Sequence, residues 1–188
     1  PVYNGSVTYD FEITPIAVTI TADDQTKTFG DADPALTYQI TSGALIGSDA
    51  FSGTLSRESG EDVNTYAINQ GSLSPGSNYD VTYIVGNFTI NKAMAPVILS
   101  DLVQTYDGSP ITATASTTPS GLIVDITYDG SATVPTEVGT YAVVATINEL
   151  NYEGSANGTL TINKATATIN LASLMLTYDG SARIVSET

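Results

Sequence analysis

The sequence predicts an all-β fold, and its composition, alternating apolar positions and frequent turn residues all support that prediction. Serine and threonine together make up 46 of the 188 residues, whereas the long helix formers are scarce. Threonine, valine, isoleucine and tyrosine are abundant instead, and these residue types favour strands. With 41% apolar and 13% charged residues, we expect a chain that folds in water and neither stays disordered nor inserts into a membrane.

The charge balance and the missing residue types narrow the possible functions. The chain has 20 acidic and 5 basic side chains, a net charge of −15, and it contains no histidine, cysteine or tryptophan. Without a basic patch we expect no nucleic-acid partner and no anionic membrane partner. Disulfides, cysteine nucleophiles and imidazole-based triads or metal sites are excluded. We therefore predict a protein that is not an enzyme, with no catalytic residues, no cofactor and no metal site.

The chain repeats itself, as two independent landmarks show. One is a strand ending found at residues 12–15 (EITP), 87–93 (NFTINKA) and 158–165 (GTLTINKA). The isoleucines in these segments, Ile13, Ile90 and Ile162, are 77 and then 72 residues apart. The second landmark has the same two intervals and lies at residues 28–31 (TFGD), 105–109 (TYDGS) and 177–181 (TYDGS). Two landmarks with the same spacing indicate tandem repeats.

These intervals divide the chain into four parts. We predict that residues 1–14 are the last strand of a preceding repeat and that residues 165–188 start a following one. Between them lie two complete repeats, repeat 1 (15–92) and repeat 2 (93–164), each with a net charge of −6. Like charge keeps neighbouring repeats from collapsing onto each other. Because the chain begins and ends within a repeat, we expect an array that extends in both directions, and no export signal is visible in the first residues.

Each repeat carries the pattern of a small β-sandwich. Predicted strands cover residues 17–20, 36–40 and 81–85 in repeat 1, and 96–99, 122–128 and 141–147 in repeat 2. Turn residues separate the strands of repeat 2 at 107–110, 129–131 and 153–155. About six or seven short strands in some 70 residues are typical of a sandwich.

A local motif indicates which class of β-sandwich the repeats belong to. Residues 137–143 (EVGTYAV) have the order acid, any residue, Gly, any residue, Tyr that introduces a tyrosine corner in immunoglobulin-like domains. Residues 61–68 carry a degenerate copy around Tyr66. We expect these hydroxyls to bond back to the backbone; the alternative is that both are ordinary buried tyrosines. Since Ile68 and Val143 replace the usual cysteines, burial alone must hold the core. The predicted fold is tandem immunoglobulin-like β-sandwich repeats forming an extended rod.

The order of these motifs resembles a known family. In repeat 1, residues 28–38 (TFGDADPALTY), 43–45 (GAL) and 87–93 resemble the MBG-type repeats of bacterial surface proteins. Repeat 2 is similar to a sister class through residues 106–108 (YDG), 139–141 (GTY) and 161–165 (TINKA). The resemblance implies a bacterial immunoglobulin-like fold, repeated in giant secreted or outer-surface adhesins common in Bacteroidetes, some used in attachment and gliding. It implies no catalytic residues.

The expected function is therefore mechanical. We predict structural spacer repeats of a very large adhesin on the extracellular, outer surface of a bacterium, acting in attachment, gliding or biofilm formation. Hydrogen-bond ladders would resist shear, and the linker at 92–96 would be stiff because Pro96 fixes its own φ and extends Ala95. The expected partners are neighbouring repeats of the same chain. The alternative is that the repeats themselves bind surface polysaccharide or a partner cell.

Two carboxylate clusters are candidate sites. Residues 31–34 (DADP), with Asp23 and Asp24 nearby, offer oxygen ligands for calcium, although a tight turn explains the same residues better. Glu61 and Asp62 would be a carboxylate pair for glycoside hydrolysis if they faced each other across a cleft. Neighbouring strand residues point to opposite faces, so solvated loop charge is the favoured interpretation.

Three further residue groups are weaker candidates. Lys92 and Lys164 each follow an asparagine, so a covalent lysine–asparagine bond is one interpretation and an exposed strand end the other. Formal glycosylation sequons lie at 4–6, 87–89 and 157–159, where chance is the default. Four tyrosines could stack on sugars but are more simply explained by cross-strand packing: Tyr79, Tyr83, Tyr128 and Tyr152.

Overall fold

The computed structural model describes residues 4–169 together with residues 180 and 181. Over this part the fold is all-β, with fifteen strands and no helix, which confirms the predicted class. No helix among these residues is long and apolar enough to cross a membrane. Most of the predicted following repeat, including nearly all of the landmark at 177–181, lies outside the described residues.

Repeat 1 is a sandwich of two sheets. Its strands are β1 (Ile16–Ala22), β2 (Gln25–Thr28), β3 (Tyr38–Ser42), β4 (Ser56–Arg57), β5 (Asn64–Asn69), β6 (Tyr79–Ile84) and β7 (Gly86–Asn91). One sheet has the order β3-β1-β6 and the other β2-β7-β5-β4. Two pairings are parallel, β1 with β6 and β2 with β7, and the rest are antiparallel.

Repeat 2 follows the same plan with shorter pieces. Its strands are β8 (Ala93–Met94), β9 (Val97–Ser100), β10 (Val103–Thr105), β11 (Thr114–Thr117), β12 (Val124–Tyr128), β13 (Gly139–Ile147), β14 (Tyr152–Glu153) and β15 (Ser155–Asn163). The main sheet has the order β10-β15-β13-β12, opposite the pair β11-β9, and a two-residue parallel pair joins β14 to β8. Together β8 and β9 replace the single first strand of repeat 1.

Each repeat has its own apolar core, built from alternate residues of its strands. Ile68 and Phe88 are fully buried in repeat 1, as are Val143 and Leu160 in repeat 2. Ile68 and Val143 thus occupy the core positions that the sequence assigned to them. Among the described residues, no strand of 16–91 pairs with a strand of 93–163. The two sandwiches therefore have separate sheets, while their limits at residues 14, 92 and 164 stay predictions.

The segment before β1 differs from the prediction. Residues 4–14 are not in a strand, although Val7, Tyr9, Phe11 and Ile13 alternate as in β7. All four of these side chains are exposed. A strand needs a neighbour for its backbone hydrogen bonds, and no described strand pairs with this segment. Residues 4–14 therefore form no strand in this structure, and the assignment of residues 1–14 to a preceding repeat stays a prediction.

Candidate functional site

The first candidate feature is the parallel pairing of the last strand of each repeat with a strand near its start. In repeat 1, β2 runs parallel to β7 over four residue pairs, from Gln25 beside Phe88 to Thr28 beside Asn91. In repeat 2, β10 runs parallel to β15 over three pairs. When a repeat is pulled from its two ends, parallel neighbours move in opposite directions along their common axis. All hydrogen bonds of the ladder are then loaded together in shear.

The second feature is a charged network in repeat 1, formed by Lys27, Asp33, Arg57 and Glu61. Lys27 Nζ donates to Asp33 Oδ1 at 2.7 Å and to Glu61 Oε2 at 2.5 Å. Arg57 Nε donates to Asp33 Oδ2 at 2.6 Å, and Arg57 Nη2 donates to Glu61 Oε1 at 2.5 Å. Two cations and two carboxylates are thus joined in a closed, neutral ring of charge-assisted hydrogen bonds.

Burial makes this network more than a surface ion pair. Lys27 is 8% exposed, and it is the one charged residue that is buried in the part of the chain that the structure describes. The Arg57 guanidinium carbon lies 4.8 Å from the ring centroid of Phe88 and 5.5 Å from that of Tyr66. Its Nη1 also donates to the carbonyl oxygen of Gly60 at 2.7 Å. The network therefore covers one side of the apolar core of repeat 1 with paired charges.

The pKa shifts in the network all favour the charged forms. Hydrogen bonds from Arg57 and then from Lys27 lower the pKa of Asp33 to about 2. The same kind of bond, first from Lys27, lowers the pKa of Glu61. Hydrogen bonds to Asp33 and Glu61 raise the pKa of Lys27, and Asp33 contributes most to raising the pKa of Arg57. The ring is therefore fully ionised at neutral pH.

The two tyrosine corners are the third feature, and the structure confirms both. Tyr66 donates its hydroxyl to the Asp62 carbonyl oxygen at 2.9 Å. Tyr141 donates to the Glu137 carbonyl oxygen at the same distance. In each case the acceptor lies four residues before the tyrosine, so the loop before β5 or β13 is fixed to the start of its strand.

The fourth feature is a contact between the repeats, centred on Asn151. Its side-chain Oδ1 accepts a hydrogen bond from the Val63 backbone N–H at 2.8 Å. Its Nδ2 donates to Asp62 Oδ1, also at 2.8 Å. Because Asp62 and Val63 belong to the corner loop of repeat 1, the asparagine holds that loop with both ends of its amide.

Further contacts surround Asn151. Lys92 Nζ donates to the Glu149 carbonyl oxygen at 2.7 Å. The ring of Phe29 meets the ring of Tyr152 edge to face, with centroids 5.4 Å apart. We call the set of Phe29, Asp62, Val63, Lys92, Glu149, Asn151 and Tyr152 the inter-repeat joint.

Backbone hydrogen bonds also fix the linker at residues 92–96 to repeat 2. Ala93 N–H donates to the Asn151 carbonyl oxygen at 3.0 Å, and Ala95 N–H donates to that of Glu153 at 2.8 Å. Ala95 is buried, and a Cβ placed on Gly154 would lie 2.1 Å from its carbonyl oxygen. The linker therefore lies against repeat 2 at a position where only a glycine fits.

The calcium candidate does not come together as a site. Asp33 is engaged by Arg57 and Lys27, Asp24 accepts from the Asn87 backbone N–H, and Asp23 accepts from Gln39. Residues 28–31 form the expected turn, in which the Asp31 N–H donates to the Thr28 carbonyl oxygen. Among the described residues, no group of three or more carboxylates could hold a metal ion.

The candidate carboxylate pair is likewise divided between two structural roles. Glu61 belongs to the charged network, and Asp62 belongs to the inter-repeat joint. The two side chains serve different partners and do not face each other across a cleft. The interpretation as solvated loop charge was also incomplete, because both carboxylates have defined partners.

The positions of Lys92 and Lys164 do not support the hypothesis of a covalent lysine–asparagine bond. Lys92 reaches a backbone carbonyl of repeat 2 and not an asparagine side chain, while Lys164 is exposed. The lysine closest to carboxylates is Lys27, which the sequence did not single out. Because its pKa is raised, its amine stays protonated and is not a nucleophile toward Asp33.

The four candidate sugar-binding tyrosines all have contacts within the protein. Tyr79 is buried and donates to Asp49 Oδ2, and Tyr83 donates to the Ile68 carbonyl oxygen. Buried Tyr128 accepts from the Ala113 N–H, and Tyr152 packs on Phe29 in the joint. The packing interpretation of these residues is the one that the structure favours. The three sequon asparagines, Asn4, Asn87 and Asn157, are exposed, and the interpretation that these sequons occur by chance stays a prediction.

Last strands that pair in parallel with early strands, tyrosine corners and cysteine-free cores define a tandem immunoglobulin-like repeat protein. The family comparison agrees with this class: the MBG domain (YGX type) matches residues 18–89. The MBG domain of a second type matches residues 95–166. Together the matches cover most of the chain, which therefore belongs to the MBG domain families and carries two of these repeats in tandem. These families are not known as enzymes. A search among curated proteins found no match.

Proposed function

We propose that these repeats are structural spacers of a very large adhesin on the outer surface of a bacterium. In this role they carry tension between the cell and a binding region and perform no reaction. The observation that carries the proposal is the parallel pairing, in both repeats, of the last strand with a strand near the start, β7 with β2 and β15 with β10. A spacer under load needs strands near its two ends to be joined in shear, so that no single hydrogen bond takes the whole force.

The inter-repeat joint supports the same function. A tether made of independent domains would absorb tension by bending freely at its linkers. Here, hydrogen bonds from Asn151 and Lys92 and the Phe29–Tyr152 contact resist bending between the repeats. The −6 charge of each repeat also opposes collapse of the array.

Single-molecule pulling tests the proposal. The full chain is stretched between handles at its two termini, and we expect one high-force rupture for each repeat. A matched control applies force through cysteines at Ser56→Cys and Asn69→Cys, which are paired residues of β4 and β5. This geometry separates the strands one pair at a time, so the rupture force should fall severalfold. Equal forces in the two geometries would contradict a load-bearing role.

A binding assay addresses the alternative function. The tyrosines proposed to stack on sugars are engaged within the protein, so no contact among the described residues favours direct polysaccharide binding. We expect an array of bacterial and host glycans to show no saturable binding by the isolated chain. Saturable binding that is lost on substitution of an exposed side chain would support the polysaccharide-binding function instead.

A further inference from the structure

The side chain of Asn151 in repeat 2 binds the corner loop of repeat 1, and an equivalent asparagine is present on repeat 1 itself. Asn78 precedes Tyr79 and β6 as Asn151 precedes Tyr152 and β14. The backbone geometry agrees, since Ile16 N–H donates to the Asn78 carbonyl oxygen at 2.9 Å. This is the same bond that Ala93 makes with Asn151 at the joint. The two asparagines therefore have equivalent places in the two repeats.

The surroundings of Asn78 leave its side chain accessible to a similar loop. Its side chain is exposed and has no hydrogen-bond partner among the described residues. It borders a cavity of about 350 Å³ whose other walls are residues 13–16 and Ser77. Two of these walls are apolar and open to solvent, since Ile13 is 84% and Ile16 is 41% exposed. A free amide thus lies beside an uncovered apolar surface.

The complementary surface lies on the corner loop of repeat 2. Tyr141 marks Glu137 as the equivalent of Asp62, so Val138 is the equivalent of Val63. Val63 is half-buried and packs on the core of repeat 1, whereas the equivalent Val138 is 42% exposed. Glu137 also keeps the carboxylate that an asparagine amide needs as an acceptor.

We propose that the surface around Asn78 is a docking site for the corner loop of another MBG repeat. Its Oδ1 would accept from the backbone N–H of the loop valine, and its Nδ2 would donate to the preceding acidic side chain. This proposal rests on the proposed spacer function, because it turns the inter-repeat joint into a contact that each repeat can form on both of its ends. Such a head-to-tail contact is heterologous and extends without closing.

Two parts of the joint are not repeated at this site. Pro15 takes the place of Lys92, because Ile16 and Ala93 make equivalent hydrogen bonds, so no amine is present there. Tyr152 offers its ring to Phe29, but the equivalent Tyr79 is buried, and its hydroxyl is held by Asp49. An incoming aromatic residue therefore cannot reach it. Docking at Asn78 depends on the amide and on the exposed side chain of Ile16.

Cross-linking of a duplicated chain tests the proposal, and the absence of native cysteines makes it clean. Residues 1–163 are followed directly by residues 15–188 of a second copy, which keeps the repeat register. Cysteines replace the exposed residues Thr140 in the first copy and Ser77 in the second, which leaves Glu137 and Asn78 in place, and a short bismaleimide reports their proximity. The positive control is Thr65→Cys with Leu150→Cys within one copy, at the equivalent positions. The negative control pairs Thr140→Cys with Ser116→Cys of the second copy.

We expect the Thr140–Ser77 pair to cross-link as fast as the positive control and at least tenfold faster than the negative control. Cross-linking of the positive control alone would overturn the docking site while leaving the spacer function, which is measured by rupture force, intact. Failure of both pairs would overturn the docking site together with the joint on which it is based.

Discussion

Repeat 1 and repeat 2 fill the same position of the sandwich with different chemistry. Arg57 pairs with Ile68, and Tyr128 pairs with Val143. Ile68 and Val143 each follow a corner tyrosine by two residues, so Arg57 and Tyr128 are equivalent. The arginine needs carboxylates and carbonyl oxygens for its guanidinium, whereas buried Tyr128 only accepts one hydrogen bond, from Ala113.

The neighbouring strand shows the same contrast. Lys27 lies beside Ile90 in repeat 1, and Gln104 lies beside the equivalent Ile162 in repeat 2. Gln104 donates to two backbone carbonyl oxygens, of Asp101 and Thr112, and no charge is involved. The fold therefore does not require the charged network. The network fixes the position of Glu61. This residue precedes Asp62, which Asn151 of repeat 2 binds.

The largest effect that the comparison predicts comes from Arg57→Ala. This change leaves Asp33 and Glu61 with Lys27 alone and removes the cation over Phe88, so repeat 1 should lose about 3 kcal/mol of unfolding free energy. Tyr128→Phe should cost repeat 2 about 1 kcal/mol, because only one hydrogen bond is lost. Native-state hydrogen exchange reports each repeat separately. Equal losses of unfolding free energy in the two variants would contradict the inferred difference between the charged network and the single tyrosine hydrogen bond.

Gly154→Ala should have the next largest effect and act on repeat 2. The new Cβ would meet the Ala95 carbonyl oxygen at 2.1 Å, so the linker must shift, at a cost of about 2 kcal/mol. Gly158→Ala is the matched control, since its Cβ meets only the flexible ends of Leu99 and Leu102 at 3.1 Å. Hydrogen exchange at Ala93 and Ala95 should rise in the first variant and not in the second.

The tyrosine corners should respond alike in the two repeats. Tyr66→Phe and Tyr141→Phe each remove one hydroxyl-to-carbonyl hydrogen bond, so each should cost about 1 kcal/mol. Urea unfolding followed by NMR signals from each repeat measures both losses. A cost confined to one of the two variants would contradict an equivalent stabilising role of the corner in both repeats.

Acid should destabilise repeat 1 more than repeat 2. The folded-state pKa of Asp33, about 2, lies below its ordinary value of 3.8, so its ion pairs stabilise the fold above about pH 4 and are lost as the pH falls toward 2. Because this side chain is 40% exposed, we expect only about 1 kcal/mol. The lowered pKa of Glu61 acts in the same direction. NMR-monitored melting at pH 4 and pH 2 should show a larger loss for Phe88 than for Leu160.

Local patterns made much of this fold predictable. Alternating apolar residues located most strands, and a four-residue spacing located both tyrosine corners, because each depends on neighbours in sequence. The network and the joint depend on residues far apart, since 34 positions separate Lys27 from Glu61 and 89 separate Asp62 from Asn151. The sequence singled out Asp33, Glu61 and Asp62 as carboxylates but gave no sign of the cations and the amide that engage them.

The central claim is that Asn151 couples the two repeats, and distances between spin labels test it most directly. Labels at Thr82→Cys and Thr140→Cys occupy exposed strand positions, one in each repeat. We predict one narrow distance distribution that broadens in Asn151→Ala and stays narrow in Asn148→Ala, whose amide bonds only within repeat 2, to Asp125. A broad distribution in the unaltered chain, or no change on Asn151→Ala, would contradict the account.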